Sequence, residues 1–234
     1  MPKETSIYAY LEKPSMVDYP QHYAAVFFVS GCGFTCGFCH NAALMADKQS
    51  GLSLEQLDAV CAAFRKEWVN GVVITGGEPT GAEDLPDLLR FFKEHLGFAV
   101  KLDTNGSNPA MLGKCLPWVD YIAMDIKCGL PSYPEVVGFS ETDRIQESID
   151  LIRDEAKDYE FRTTVISTIH TDDQMETVRQ IVHGSKRYVL QAFIPREELP
   201  QEEFRNVPRT TSARLHELRA CLADCADEVL VRGA

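Results

Sequence analysis

The chain carries three closely spaced cysteines, Cys32, Cys36 and Cys39. Their C-x3-C-x2-C spacing allows one loop to present three thiolates to a single inorganic centre. A cubane iron–sulfur cluster contains four irons, and each iron is usually held by one cysteine. Three cysteines therefore leave one iron open to a substrate or cofactor, which indicates chemistry rather than electron storage alone.

Zinc is the alternative ligand for the same three thiols. His40 follows Cys39 directly and could complete a Cys3His site. Structural zinc sites usually draw their ligands as two separated pairs, whereas the adjacent Cys39 and His40 would both have to reach one ion. The ligand chemistry favours iron–sulfur and leaves zinc as the second interpretation.

A second motif, Gly76-Gly77-Glu78-Pro79, ends an apolar, β-branched run. A glycine pair before a proline often makes only a turn. Glycines also let the backbone approach a ligand closely, and Glu78 could accept a hydrogen bond from an ammonium group. Taken alone, the motif leaves turn and binding loop open; the upstream cysteines favour the binding loop.

Composition sets the broad class of the protein. The 234 residues are 45% hydrophobic and 25% charged, as in an ordinary globular domain. The longest apolar run, 24–29, is far shorter than the roughly 20 residues of a membrane-spanning helix. The N-terminus lacks a secretory pattern, so we expect a cytoplasmic protein without a membrane span. A net charge of -12 argues against nucleic acids and anionic membranes as partners.

Five further cysteines are scattered along the chain and suit buried free thiols. They are Cys61, Cys115, Cys128, Cys221 and Cys225. Cys221 and Cys225 are four residues apart in a predicted helix, so both should lie on one face of it. Core packing is the favoured interpretation for this pair, and a redox or metal role stays open.

Amphipathic stretches alternate with short apolar runs, which is the pattern of βα units around a parallel sheet. We predict strands over 23–29, 71–75, 98–103, 119–125, 161–166, 187–193 and 228–231. We predict helices over 53–68, 84–96, 108–115, 142–157, 172–183 and 210–224.

Local signals support two of these helices. The first has a capping box at Ser53 and Gln56, and the second ends at Gly97. The apolar face of the first helix is predicted to comprise Leu54, Leu57, Cys61, Phe64 and Trp68.

Six βα units and a trailing strand are fewer than the eight units of a closed barrel. We therefore expect an α/β fold, a partial open (βα)6 barrel with a trailing C-terminal strand. It would form one domain over 1–234, with 1–21 as an N-terminal extension and 22–234 as the barrel.

Ligands of such folds bind at the carboxyl ends of the strands. The predicted strand ends carry the cysteine loop, the Gly76 to Glu78 loop, Asp103-Thr104-Asn105-Gly106, Asp125, Lys127, Arg162 and Gln191. Each has a plainer interpretation as well. Asp125 and Lys127 share a strand face and could form an ordinary ion pair. Asp103 or Asn105 could make a turn with Gly106.

The order of the two motifs resembles that of radical S-adenosylmethionine (SAM) enzymes, whose signature is the C-x3-C-x2-C loop followed by a GGE motif. The stretches Ser15 to Pro20 and Gly31 to Asn41 are similar to activating enzymes of glycyl radical proteins. The stretches 102–106, 124–127 and 188–193 most resemble the subgroup that activates anaerobic ribonucleoside-triphosphate reductase.

The resemblance implies a radical SAM oxidoreductase with a 4Fe-4S cluster, S-adenosylmethionine and a monovalent cation. Such an enzyme cleaves S-adenosylmethionine reductively to a 5'-deoxyadenosyl radical. The radical then generates a glycyl radical on a partner, here anaerobic ribonucleoside-triphosphate reductase. A flavodoxin- or ferredoxin-like protein would donate the electron.

The resemblance also implies roles for individual residues. Cys32, Cys36 and Cys39 would hold the cluster, Phe38 would lie by the adenine, and Gly76, Gly77 and Glu78 would line the methionine amino group. Asp103, Thr104, Asp125 and Lys127 would surround the methionine moiety, some of them through the cation, and Arg162 would lie near the cofactor carboxylate. Asn105 and Gln191 are further candidate cofactor-binding residues.

The chain departs from the family pattern at three positions. Thr35 replaces a frequent arginine, Gly37 a frequent proline, and Gln21 a frequent glycine. Two other interpretations stay open. The radical could act on another glycyl radical enzyme, a small molecule or a peptide, or the protein could be a non-catalytic electron carrier or zinc-binding module.

Overall fold

The computed structural model describes residues 4–44 and 51–233. Its centre is one eight-stranded sheet in which the strands are ordered as they occur in the sequence. The strands are β1 Ile7–Tyr10, β2 Ala24–Val29, β3 Gly71–Gly76, β4 Ala99–Thr104, β5 Tyr121–Asp125, β6 Tyr159–Val165, β7 Ser185–Ala192 and β8 Ala226–Arg232.

The strands β2 to β8 pair in parallel, and β1 pairs antiparallel with β2. In the described part of the chain β1 and β8 are the two edges of the sheet, so the barrel stays open between them. The predicted α/β fold with an open partial barrel is confirmed. The predicted strands are all present, and β1 adds a strand inside the predicted N-terminal extension.

The helices are α1 Leu54–Lys66, α2 Leu85–Arg90, α3 Pro109–Cys115, α4 Tyr133–Val137, α5 Thr142–Glu155, α6 Asp172–Val182, α7 Glu202–Arg205 and α8 Ser212–Cys221. The predicted helix over 84–96 divides into α2 and a π-helical turn, Phe91–His95. Gly97 follows with a φ of 67° and ends the segment as predicted. Among the described helices, none combines the length and apolar content that a membrane crossing requires.

The first helix begins as predicted and ends earlier. Ser53 and Gln56 form the capping box, each side chain accepting a hydrogen bond from the other residue's backbone N–H. The prediction for Trp68 was wrong: its φ is 66° and its side chain is 88% exposed. The chain turns out of α1 there through a left-handed residue, and the buried Val69 continues toward β3.

The prediction that Cys221 and Cys225 share a helical face was also wrong. The helix α8 ends at Cys221, which is exposed, whereas Cys225 lies beyond the helix and is buried. Cys61, Cys115 and Cys128 are buried as predicted.

The two faces of the sheet have different roles because side chains alternate along each strand. The outer face joins the helices in the main apolar core. The inner face carries a smaller apolar cluster that includes Val26, Val73 and Ala123. Polar side chains continue the inner face toward the carboxyl ends of the strands, for example Asp125 two residues after Ala123. The apolar cluster therefore forms the floor of the open barrel.

Candidate active site

A cleft of about 540 Å³ lies at the carboxyl ends of the strands. It brings together every site residue that the sequence predicted. These are Cys32, Cys36, Phe38, Cys39, Gly76, Gly77, Glu78, Asp103, Thr104, Asn105, Asp125, Lys127, Arg162 and Gln191. Residues distant in the sequence thus share one cavity because parallel strands align their ends at one rim.

Aromatic packing and backbone hydrogen bonds hold the cysteine loop at this rim. The buried Phe34 ring lies 5.0 Å from the Phe139 ring, measured between centroids. The Thr35 N–H donates to the Val137 carbonyl oxygen at 2.8 Å, and the Thr35 hydroxyl reaches the same oxygen. Thr35, one of the departures from the family pattern, therefore anchors the loop to the end of α4.

Gly37 and Phe38 attach the other half of the loop to α7. A Cβ atom at position 37 would lie 2.1 Å from the Gln201 side chain and 2.8 Å from the Phe204 ring. The Phe38 ring packs edge-on against Phe204, with centroids 5.4 Å apart. A larger residue at 37 would therefore require the Gln201 and Phe204 side chains to shift, and the Phe38 ring both lines the cleft and is fixed by this packing.

The three thiols suit a positively charged inorganic centre. Burial raises the pKa of Cys36 to about 12, and it also raises the pKa values of Cys32 and Cys39. Lys127 acts in the opposite direction on all three. The Phe34 N–H donates to the Cys32 sulfur at 3.4 Å, and the Asn105 amide lies 3.6 Å from the same sulfur. Iron would supply the charge that stabilises the buried thiolates, and donors to sulfur tune such a cluster.

His40 is engaged away from the three thiols. Its Nε2 lies 2.8 Å from the Ile194 carbonyl oxygen, and its ring lies beside Phe193. Within residues 4–44 and 51–233, no three His, Cys, Asp or Glu side chains are grouped to hold a single metal ion. The position of His40 gives the zinc interpretation no support.

The Gly76-Gly77-Glu78 loop is joined to the start of the cysteine loop through backbone atoms. The Gly77 N–H donates to Val29 and the Glu78 N–H to Gly31, both at 2.8 Å. A Cβ atom at position 77 would lie 2.1 Å from the Gly31 oxygen, and Gly76 has a φ of 120°. Glycine is required at both positions because the two loops touch through their main chains.

The Glu78 carboxylate is buried and organises the surrounding loops. Its Oε1 accepts from the Thr80 N–H at 3.0 Å, the Thr80 hydroxyl at 2.6 Å and the Thr104 hydroxyl at 2.7 Å. Its Oε2 accepts from the Asn105 N–H at 2.6 Å. Burial raises the pKa of Glu78 although these donors oppose it. One side chain thus fixes the ends of β3 and β4 against each other.

A chain of alternating charges crosses the inner face from β4 to the loop after β5. Lys101 pairs with Asp103, Asp103 with Arg162, Arg162 with Asp125, and Asp125 with Lys127. Burial opposes ionisation of Asp125, yet Arg162 and Lys127 hold its pKa well below the usual range. The Asp125–Lys127 ion pair, which the strand pattern left open beside a cofactor contact, is present at 2.8 Å.

Sequence reasoning missed several parts of the site. Further cleft residues include Asp18, Thr164 and Arg196. Lys101 lies behind Asp103, and its signal in the sequence is a lysine inside an apolar strand, two residues before an aspartate. His170, left unassigned from the sequence, is buried with its Nε2 3.0 Å from the Lys127 carbonyl oxygen.

The fold and the cleft define an open α/β barrel with a three-cysteine loop at its strand ends. The sequence profile of the radical SAM superfamily matches residues 26–183. The chain therefore belongs to the radical SAM superfamily. Membership implies a 4Fe-4S cluster and S-adenosylmethionine, and the thiols in the cleft fit such a cluster.

Individual proteins give further comparisons. A protein of Methanocaldococcus jannaschii, provisionally named a glycyl-radical enzyme activating enzyme, is 31% identical over 227 residues, 93% of this chain and 92% of that protein. SuiB of Streptococcus suis, solved with S-adenosylmethionine, has a TM-score of 0.66 at 16% identity over 87% of this chain and 48% of SuiB. A domain of the pyruvate-formate lyase-activating enzyme of Bacteroides vulgatus has a TM-score of 0.55 at 15% identity, over 70% of this chain and 99% of that domain. The two solved structures show the fold.

Proposed function

We propose that this protein is an activase that generates a glycyl radical on a partner enzyme. The observation that carries the proposal is the near full-length similarity to the Methanocaldococcus jannaschii protein, joined to a cleft with three cluster cysteines. When bound, the cluster supplies one electron that cleaves S-adenosylmethionine into methionine and a 5'-deoxyadenosyl radical. The radical removes a hydrogen atom from a glycine of the partner, which leaves 5'-deoxyadenosine.

The protein's own residues would bind and orient. Cys32, Cys36 and Cys39 would hold the cluster, which would bind S-adenosylmethionine and supply the electron for its cleavage. Lys127 and Arg162 give the adjoining wall the positive charge that a carboxylate requires, since both are part of the charge chain. Because this wall is largely buried, its charges act with little screening by water.

Glu78 contributes by position in this proposal. Its carboxylate accepts from the Asn105 N–H and so ties the glycine loop to the end of β4. The Gly77 and Glu78 N–H groups donate to Val29 and Gly31, which keeps the glycine backbone next to the cluster cysteines. Phe38 offers an aromatic face to the adenine. Thr104, Asn105 and Gln191 complete the polar wall around the methionine moiety.

The partner proposed from the sequence is anaerobic ribonucleoside-triphosphate reductase, with a flavodoxin- or ferredoxin-like electron donor in the cytoplasm. The opening between β1 and β8 supports a macromolecular substrate, because a loop can enter a barrel that is not closed. Glycine suits such an entry, since it has no side chain to obstruct the approach of its Cα.

Isotope transfer tests the activase proposal. A candidate partner is produced with deuterated glycine and mixed anaerobically with reconstituted, reduced protein and S-adenosylmethionine. We expect deuterium in 5'-deoxyadenosine and a protein-based radical in the electron paramagnetic resonance spectrum of the partner. Formation of 5'-deoxyadenosine without deuterium or radical, across candidate partners, would point to a small molecule or another peptide as substrate.

A further inference from the structure

The two aspartates of the cleft wall are already neutralised by side chains. Asp125 Oδ2 lies 2.8 Å from Lys127 Nζ, and Asp103 Oδ2 lies 3.2 Å from Arg162 Nη2. Asp125 Oδ1 pairs with Arg162 Nε, and Asp103 Oδ1 pairs with Lys101 Nζ. Each of the four carboxylate oxygens therefore has a cationic partner, and Arg162 pairs with both aspartates.

Lys101 is the unusual member of this chain of charges. Its side chain is 2% exposed, whereas lysine is almost never fully buried unless it is paired. It lies on β4 two residues before Asp103, so both side chains lie on the inner face of the sheet. The ammonium group thus reaches Asp103 from below the cleft and closes that side of the carboxylate.

The monovalent cation implied by the family resemblance does not fit these residues. Such an ion binds through oxygen atoms, and Asp103 and Asp125 are the two carboxylates among the residues that the resemblance places around the methionine moiety and the cation. A metal cation at Asp103 Oδ1 would occupy the position of the Lys101 ammonium. Three side-chain cations already face two carboxylates, so a further cation adds repulsion, while the carboxylate of S-adenosylmethionine removes it.

We propose that the Lys101 ammonium takes the place of the monovalent cation in this protein. Lys101 is then a positioning residue: it fixes Asp103, which orients Arg162 beside the binding cleft. Binding of S-adenosylmethionine is therefore independent of Na⁺ and K⁺. The inference rests on the binding of S-adenosylmethionine in the proposed function, and it is independent of the identity of the partner.

The first test measures the affinity of the reconstituted protein for S-adenosylmethionine by anaerobic equilibrium dialysis. The buffers contain NaCl, KCl or choline chloride at equal ionic strength. We expect dissociation constants within about twofold of one another in the three salts. A dissociation constant lower by about fivefold or more in Na⁺ or K⁺ would overturn the inference.

The second test removes the Lys101 ammonium group and asks whether a metal cation can replace it. Lys101→Met removes the charge and retains an unbranched side chain. We expect its affinity to fall by about tenfold in choline chloride and to recover when KCl or NaCl replaces choline. Lys93→Met is the matched control, because Lys93 pairs with Asp120 outside the cleft. Unchanged affinity of Lys101→Met in choline chloride would contradict the role of Lys101.

A crystallographic readout does not depend on S-adenosylmethionine. Crystals soaked in thallous acetate are examined for anomalous scattering, since Tl⁺ substitutes for K⁺. We expect no peak beside Asp103 in the wild-type protein and a peak there in Lys101→Met. A wild-type peak at Asp103 refutes the inference even if the variant does not fold. Failure to bind S-adenosylmethionine in every salt would instead refute the proposed function.

Discussion

At the scale of single residues, Glu78 joins the glycine loop to the end of β4. Both of its oxygens face backbone N–H groups, those of Thr80 and Asn105. In Glu78→Gln, the amide NH₂ must therefore point at one N–H in either orientation. We expect a cost of about 1–3 kcal/mol in unfolding free energy. Urea unfolding measures it, and affinity for S-adenosylmethionine should fall as the loop loosens.

The matched control for this prediction is Glu83→Gln, which changes an exposed glutamate five residues later. The control should retain both stability and affinity. Wild-type stability of Glu78→Gln would show that the buried carboxylate does not organise the loops.

His170 gives the protein a pH dependence with a defined sign. The Ile166 N–H donates to His170 Nδ1 at 2.9 Å, so the neutral ring carries its proton on Nε2 and donates to Lys127. Burial lowers the pKa of His170 to about 4 against the opposing backbone hydrogen bonds. The unfolded chain binds this proton near pH 6.5, so the contribution is complete above that pH and is lost as pH falls toward 4.

We therefore expect the free energy of unfolding of His170→Gln to depend less on pH below pH 6.5 than that of the wild type. Between pH 7 and pH 5 the wild-type free energy of unfolding should fall by about 2 kcal/mol more than that of the variant. Urea unfolding at the two pH values measures this difference. His216→Gln, at an exposed histidine, is the matched control, and equal slopes for wild type and His170→Gln would contradict the assignment.

At the scale of elements, Gln21 shows how a departure from the family pattern appears in the backbone. Its φ is 64°, in the left-handed region that favours glycine, and glycine is the residue common there in the family. Gln21→Gly should raise the unfolding free energy by about 1 kcal/mol. Thermal melting measures the change. The control, Gln146→Gly inside α5, should lower the stability by a similar amount. A lower melting temperature for Gln21→Gly would show that the backbone at Gln21 is not strained.

Elements with strong periodicity could be predicted from the sequence, and elements fixed by tertiary contacts could not. The parallel strands have apolar runs, and α1 has its capping box. The four-residue strand β1 forms because β2 offers it an edge, which its own sequence does not reveal. Trp68 continues the apolar spacing of α1, but the chain has already turned toward β3.

At the scale of the whole molecule, an ion pair with a buried carboxylate ties β8 to the barrel interior. Arg232 on β8 contacts both oxygens of Glu160 on β6 at 2.6 Å, and Glu160 is fully buried. Arg232→Met should cost about 3 kcal/mol because it removes the cation from a buried carboxylate and leaves it, among the described residues, only the Tyr121 hydroxyl as a donor. The figure is at the low end of the range for broken buried ion pairs, because Arg232 is 33% exposed. Chemical denaturation measures the loss.

Adding Glu160→Gln to Arg232→Met should restore more than half of that stability, since the unpaired charge is removed. A double variant as unstable as the single one would show that the pair does not hold β8.

More of the site than of the individual elements could be predicted from the sequence, because the carboxyl ends of parallel strands converge in any such barrel. The motif residues at Cys32, Gly77 and Asp125 follow from that rule. The alternating charge chain could not be predicted, since its pairs join β4, β5 and β6 across the inner face. Lys101 differs from these pairs: its partner Asp103 lies two residues away on the same strand, so a lysine before an aspartate in an apolar strand was a signal that the sequence offered.

The central claim is that three cysteines of this cleft support reductive cleavage of S-adenosylmethionine. The most direct measurement is 5'-deoxyadenosine formed by the anaerobically reconstituted, reduced protein without any partner. We predict product from the wild type and from Cys221→Ala, whose thiol is exposed at the end of α8, and none from Cys32→Ala, Cys36→Ala or Cys39→Ala. A wild-type protein that holds its cluster and forms no 5'-deoxyadenosine, or a cysteine-loop variant that still forms it, would contradict the claim.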